Sequence, residues 1–118
     1  MNALAHMCLG FGAHTGSTEL HLMDYKNAGG FVYPNISKMP FIILREDNSN
    51  KIAKLLMEAK EANIQYSVFT NTMTEGTWVD QEARTLATKP EDIVYYGILL
   101  FGPKEIVINL TKKLSLLK

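Results

Sequence analysis

The sequence has almost no cysteine: Cys8 is the single one in 118 residues. An internal disulfide is therefore excluded, and a lone thiol fits a reducing compartment. Long apolar runs are missing as well, none approaching the roughly 20 residues that a membrane-spanning helix needs. The chain does not open like a secretory signal either. It has no basic leading segment, and Asn2 and His6 interrupt its first apolar run. These absences predict a cytoplasmic protein with no membrane partner. An excess of either charge is also lacking, because twelve Lys and Arg balance twelve Asp and Glu. Nothing global draws the chain to a polyanion, so nucleic-acid binding would need a local basic patch. Lys112, Lys113 and Lys118 form one small basic end, which also suits a helix dipole. The histidines His14 and His21 have no companions at ligand spacing, and His14 near Cys8 does not make a zinc site. Gly10 and Gly12 alone make no phosphate or dinucleotide fingerprint. No metal and no cofactor are expected.

What the chain does have is a sizeable apolar fraction, 47%, and a length that suits one domain over residues 1–118 with a real core. Ala3, Leu4, Met7, Cys8 and Phe11 recur at helical spacing and predict a helix over 2–12, stopped by Gly10 and Gly12. A strand around Leu20–Met23, turn residues at Asn27, Gly29 and Gly30, and a return strand over 31–33 ended by Pro34 read as a hairpin. FIILR at 41–45 has the continuous apolar character of a buried strand. Ile52, Leu55, Leu56 and Ala59 line one face of the clearest helix, 51–63, with Asn48 or Ser49 as its cap and Asn63 as a left-handed end. Strands follow at 64–70 and 93–101, separated by a loop and a helix over 78–88. The last stretch, from Gly102 on, reads as a helix with Ile106, Val107, Leu110, Leu114 and Leu117 on its buried stripe.

Helices alternating with buried strands predict an α/β fold in three layers, a small mixed sheet of about four strands flanked by helices. In such folds the first helix normally crosses over from a preceding parallel strand. Here no strand precedes it, so the expected fold lacks its first strand or has it upstream of Met1. A sheet left open in this way needs a partner to cover it, and a second copy of the chain is the expected one.

Two segments, NALAHMCLGFG at 2–12 and LLFGPKEIVINLTKKLSLL at 99–117, resemble the first helix and the final strand, Gly-Pro turn and helix of type II peptidyl-tRNA hydrolases. FIIL with KIAKLLMEAKEANIQYSVFT is similar to their strand–helix–strand unit. A closer resemblance is to a bacterial domain-of-unknown-function family, numbered two thousand, with that same fold. Its marks are the NALAH-like helix, a G-x-V-x-P hairpin (Gly30 to Pro34) and a closing segment with Tyr95, Gly97, Gly102, Pro103 and Lys104. The likeness spans nearly the whole chain and implies a family that begins with a strand. Its departures bear on activity. The hydrolases carry an acid and an Arg-Thr pair in the loop after the strand matching 66–70. This chain has Asn71 in place of the acid, no Arg-Thr pair, and no counterpart of their first-strand lysine.

His6 is the surviving site position that the resemblance implies. On an α/β fold it would lie near the carboxyl end of the sheet, where ligands bind, as a general base or as a hydrogen-bond partner of an ester carbonyl. A histidine tied to a backbone group in the core is the other reading. Asn71 joins it as the second candidate catalytic residue. Thr70, Thr72 and Thr74 crowd the same strand end and offer hydroxyls to a polar ligand, although such residues also cap and turn readily. Asn2, one helical turn before His6, is a further ligand-binding candidate. Cys8 as a nucleophile would need a nearby base and a lowered pKa. The missing loop residues favour a binding or interaction module for a small ligand or a tRNA end. The alternative is a hydrolase of ester-type bonds such as peptidyl-tRNA.

Overall fold

The computed structural model describes residues 2–117. Their order is α1 (Asn2–Thr15), β1 (Leu22–Lys26), β2 (Val32–Ser37), β3 (Leu44–Arg45), α2 (Ser49–Glu61), β4 (Gln65–Thr70), α3 (Trp78–Ala87), β5 (Tyr95–Phe101), α4 (Lys104–Thr111) and β6 (Ser115–Leu116). Short 3-10 turns follow β4 and precede β5. The fold is mixed α/β with small antiparallel sheets. The expected four-stranded mixed sheet is replaced by three two-stranded ladders, β1–β2, β3–β6 and β4–β5.

Several elements differ from their sequence patterns for local reasons. Helix α1 runs through Gly10 and Gly12, where nothing crowds the backbone, and ends at Gly16, whose φ of +89° is the left-handed end a helix favours. Strand β2 continues through Pro34 because its outer edge has no partner, so the absent N–H costs no ladder bond. Of the FIILR run, Leu44 and Arg45 pair with Leu116 and Ser115, and the Ile43 carbonyl accepts from the Leu117 amide at 3.0 Å. That pairing takes up the tail of the expected last helix: α4 stops at Thr111, and Leu114 and Leu117 lie beyond it. Helix α2 is capped as expected by Asn48, whose Oδ1 accepts from the amides of Asn50 and Lys51 at 2.8 and 3.3 Å. Asn63 adopts the left-handed conformation at φ 58°.

The core is built on the β4–β5 ladder. Gln65 faces Phe101 and Phe69 faces Gly97 across it. Helix α1 lies along this face. Thr15 Oγ1 donates to Gln65 Oε1 at 3.2 Å, Phe11 meets Phe101 edge to face at 5.7 Å, Met7 sits over Gly97, and His6 stacks on Phe69. The spacing is commensurate: eight helical residues from Met7 to Thr15 rise about 12 Å, and four strand residues from Gln65 to Phe69 rise about 13 Å. Helix α2 packs on the same two strands without packing on α1, which puts it on the opposite face. Its buried Ile52, Leu55 and Ala59 complete the core with Met7, Phe11, Ile64 and Phe69. The layers are helix, ladder, helix. The far edge of β4 makes no backbone hydrogen bond to any described residue.

Candidate functional site

The antiparallel direction of α1 over β4 brings the helix N-terminus to the carboxyl end of that strand. His6 is fixed there by its ring, stacked on Phe69 with centroids 5.5 Å apart and planes 26° from parallel. The imidazole is exposed, and no described side chain or backbone group hydrogen-bonds to its nitrogens. It is therefore not a histidine tied down in the core. Its nitrogens have no partner among the described residues and are free to meet a ligand.

Beside it opens a cleft of about 320 Å³. Asn2 and His6 line it from successive turns of α1, with Met7 beneath. Strand β4 contributes Ser67, Val68 and Phe69, the loop that follows contributes Met73 and Thr74, and α3 contributes Gln81. Three of the expected ligand contacts, Asn2, His6 and Thr74, share this lining. Ser67, Met73 and Gln81 were not singled out by the sequence. Strand alternation gives a signal for Ser67, which stands two residues before Phe69 on the face that α1 covers. No local pattern announces Gln81.

The remaining expected contacts, Asn71, Thr70 and Thr72, lie outside the cleft lining, and Asn71 Oδ1 and the two hydroxyls are already committed. Asn71 clamps the start of β5. Its backbone N–H donates to the Val94 carbonyl at 2.9 Å and its Oδ1 accepts from the Val94 amide at 3.0 Å. Thr70 and Thr72 are buried with their hydroxyl oxygens 2.7 Å apart. Thr85 Oγ1 lies 2.8 Å from both Thr72 Oγ1 and the Gln81 carbonyl. One O–H cannot serve two acceptors, and a carbonyl can only accept. The consistent assignment is a relay in which Thr70 donates to Thr72, Thr72 to Thr85, and Thr85 to the Gln81 carbonyl. Every buried hydroxyl is satisfied, and the loop is tied to the helix turn that carries Gln81.

Arg84 holds the same loop from α3. Its Nη1 donates to the Thr72 carbonyl at 3.0 Å, and both terminal nitrogens reach the Glu75 carbonyl at 3.2 Å. Gly76, at φ +80°, makes the turn into α3, where an added Cβ would lie 2.7 Å from Asp80 Oδ2. Thr77 and Asp80 then close a reciprocal cap: Asp80 Oδ2 accepts from the Thr77 amide at 3.0 Å, and Thr77 Oγ1 accepts from the Asp80 amide at 3.4 Å. Thr74 Oγ1 donates to the Asn71 carbonyl at 2.8 Å, which leaves its lone pairs for a ligand.

The lining has a distinct chemistry. It holds two amides, two hydroxyls and an imidazole over a floor of Met7, Phe69 and Met73, with no carboxylate and no lysine or arginine. Such a surface suits a neutral molecule with an apolar body and carbonyl, amide or hydroxyl edges. It has no cation for a phosphate and no acid to orient the imidazole as a base. A wider depression between Arg45, Glu46, Asp47, Lys51 and Lys113 is charged, but there Arg45 and Asp47 bind each other at 3.0 Å in full solvent. Cys8 is partly covered, and burial pushes its thiol above the ordinary value, away from the reactive thiolate. Among the described residues no group of three His, Cys, Asp or Glu is placed to hold a metal. No described helix is long and apolar enough to cross a membrane.

The family described as "Protein of unknown function (DUF2000)" matches the chain over residues 1–118, and the chain belongs to that family. Among solved structures it is similar to "Structure of Protein of Unknown Function Atu0240 from Agrobacteriium tumerfaciencs str. C58". The identity is 23% and the TM-score 0.80, covering 99% of this chain and 85% of that one. No curated protein matches. At that identity the likeness establishes a shared fold, and the chemistry of the cleft rests on its own residues.

Proposed function

We propose that this DUF2000 chain is a small-ligand-binding module, a single domain whose cleft between α1, β4 and the 70–77 loop holds a neutral, carbonyl-bearing molecule. One observation carries the reading: the exposed His6 ring, stacked on Phe69 with unengaged nitrogens, opens on a lining without charge. Asn2, His6, Ser67, Thr74 and Gln81 supply the polar contacts, and the Met7–Phe69–Met73 floor takes the apolar body. Asn71, Thr70 and Thr72 frame the loop. The order of elements, with a histidine on the first helix and a Gly-Pro turn before the last, supports a peptidyl-tRNA hydrolase type II-like fold. The reading of the site does not depend on that likeness.

A second reading has its own observation. Ser67 and His6 line the same cleft, so an ester bound there would meet a hydroxyl and an imidazole together. That would make the protein a hydrolase of blocked ester or peptidyl-tRNA ends. The lack of a carboxylate to orient His6 weighs against it.

The test uses N-acetyl-leucine methyl ester and N-acetyl-leucine amide, with free leucine and inorganic phosphate as charged controls. Amide-resolved NMR should show shifts at Asn2, His6, Thr74 and Gln81 with the neutral probes, weakened at least several-fold in His6→Ala. Shifts confined to the Arg45–Lys113 depression, or with phosphate alone, would overturn the reading. Methanol release from the ester would select the hydrolase.

A further inference from the structure

The chain leaves much more surface open than its size predicts. Its accessible area is 9030 Å², whereas a folded monomer of this mass exposes about 6,400 Å². Its radius of gyration is 16.4 Å, against about 13.5 Å for a compact chain of this length. The source of the excess is identifiable. Among the described residues, strands β1 and β2 form a hairpin with no substantial packing on any helix or other ladder. Tyr25 and Tyr33 face each other across it, and the Phe31 ring lies 5.1 Å from that of Tyr33, so three aromatics share one side. Phe31 is 65% exposed. Four residues after the hairpin begins the run that leads into β3, where Phe41 and Ile42 are 64% and 66% exposed.

A two-stranded hairpin alone in water is marginal at best. A continuous apolar run with the character of a buried strand is costly to leave in solvent. Exposed apolar side chains gathered in this way mark an interaction surface.

We infer that the β1–β2 arm and the Phe41–Ile42 run are the interface of a homodimer, each arm laid on a second copy of this chain. The area decides between occupants. Over two copies the excess comes to about 5,200 Å², the scale of the largest obligate dimer interfaces, which run from about 2,000 to 5,000 Å² and above over both partners. A single added strand, about 20 Å long, covers only a fraction of it. The arm's aromatics and the apolar run have the composition that the buried centre of a homodimer interface favours.

The test is sedimentation equilibrium of the full chain over a wide concentration range, beside Phe31→Ser, Phe41→Ser and Leu86→Ser. Leu86 is 84% exposed on α3 and stands outside the proposed interface. The expected result is twice the chain mass for wild type and Leu86→Ser, with dissociation in both phenylalanine variants and retained helical circular dichroism. These phenylalanines are open to solvent within one chain and lie outside the core of α1, α2 and the β4–β5 ladder, so their loss leaves that core folded. Should either variant unfold, arm-to-arm cross-linking of wild type through a cysteine placed at Asn35 replaces it, and a cross-linked dimer is expected. A monomer at every concentration gives the surface to another chain or to a further segment and overturns the inference. A dimer broken only by Leu86→Ser moves the interface to α3 and overturns it equally.

Discussion

Gly97 lies across the ladder from Phe69, and Met7 occupies the space where its side chain would stand: a Cβ on Gly97 would be 2.8 Å from Met7 Cε. This close approach seats α1 on the sheet, and the neighbouring residue, His6, then falls on Phe69. The imidazole is therefore positioned by a missing side chain on the opposite strand.

Gly97→Ala should be tolerated within about 1 kcal/mol, because the end of a methionine can swing aside. Gly97→Val should cost about 1–3 kcal/mol by overpacking. It should also lift α1 and weaken binding of the N-acetyl-leucine probes. Urea unfolding with the same NMR titration checks both. Equal tolerance of the two substitutions would contradict the packing account.

His6 and Asn71 should separate cleanly. His6→Ala removes an exposed ring, so it should leave the unfolding midpoint nearly unchanged while binding falls. Asn71→Ala removes the acceptor for the Val94 amide at 3.0 Å, and an unpaired donor costs about 1–3 kcal/mol. Its binding should be reduced only by the loosened loop. Thermal unfolding beside affinity measurements reads the two effects apart.

The threonine relay makes a sharper stability prediction. Thr72→Val keeps the shape and deletes the middle hydroxyl, so Thr70 loses its acceptor and Thr85 its donor, a loss of about 1–3 kcal/mol. Thr72→Ser retains the hydroxyl and should recover most of it. Arg84→Lys should loosen the 71–77 loop, because an ammonium cannot span the Thr72 and Glu75 carbonyls as the guanidinium does. Amide hydrogen exchange at residues 72–77 should rise in that variant.

Cys8 gives the pH dependence. Burial raises its pKa, so the folded chain holds the thiol proton more tightly than the unfolded one. The associated stability is present at neutral pH and is lost as pH rises through the folded value. Alkylation by iodoacetamide should accelerate at a higher pH in the folded chain than in urea. A midpoint at or below the unfolded one would contradict the assignment.

The sequence carried the helices and the central ladder well, since Ile52, Leu55 and Ala59 repeat at helical spacing and QYSVFT pairs with YYGILLF, with one irregularity between Phe69 and Thr70. The ends were less legible. Gly10 and Gly12 read as a stop, but glycine ends a helix only where the backbone turns left-handed, and that happens at Gly16. The last helix stopped early because Ser115 and Leu116 found strand partners 70 residues away, a nonlocal bond that periodicity cannot register. At the cleft, Asn2, His6 and Thr74 could be proposed from helical spacing and clustering. Asn71 could not be sorted from Thr74, because an amide that closes a turn and one that meets a ligand look alike in a sequence. Gln81 entered through the packing of α3 on the loop.

The account holds that the cleft binds and does not cleave. The most direct test mixes an N-blocked aminoacyl-tRNA with the wild-type chain and with His6→Ala, and follows release of free tRNA. The account predicts no release above background from either protein, with both folded by circular dichroism. Release by wild type that disappears in His6→Ala would contradict it and make Ser67 and His6 the centre of a hydrolase.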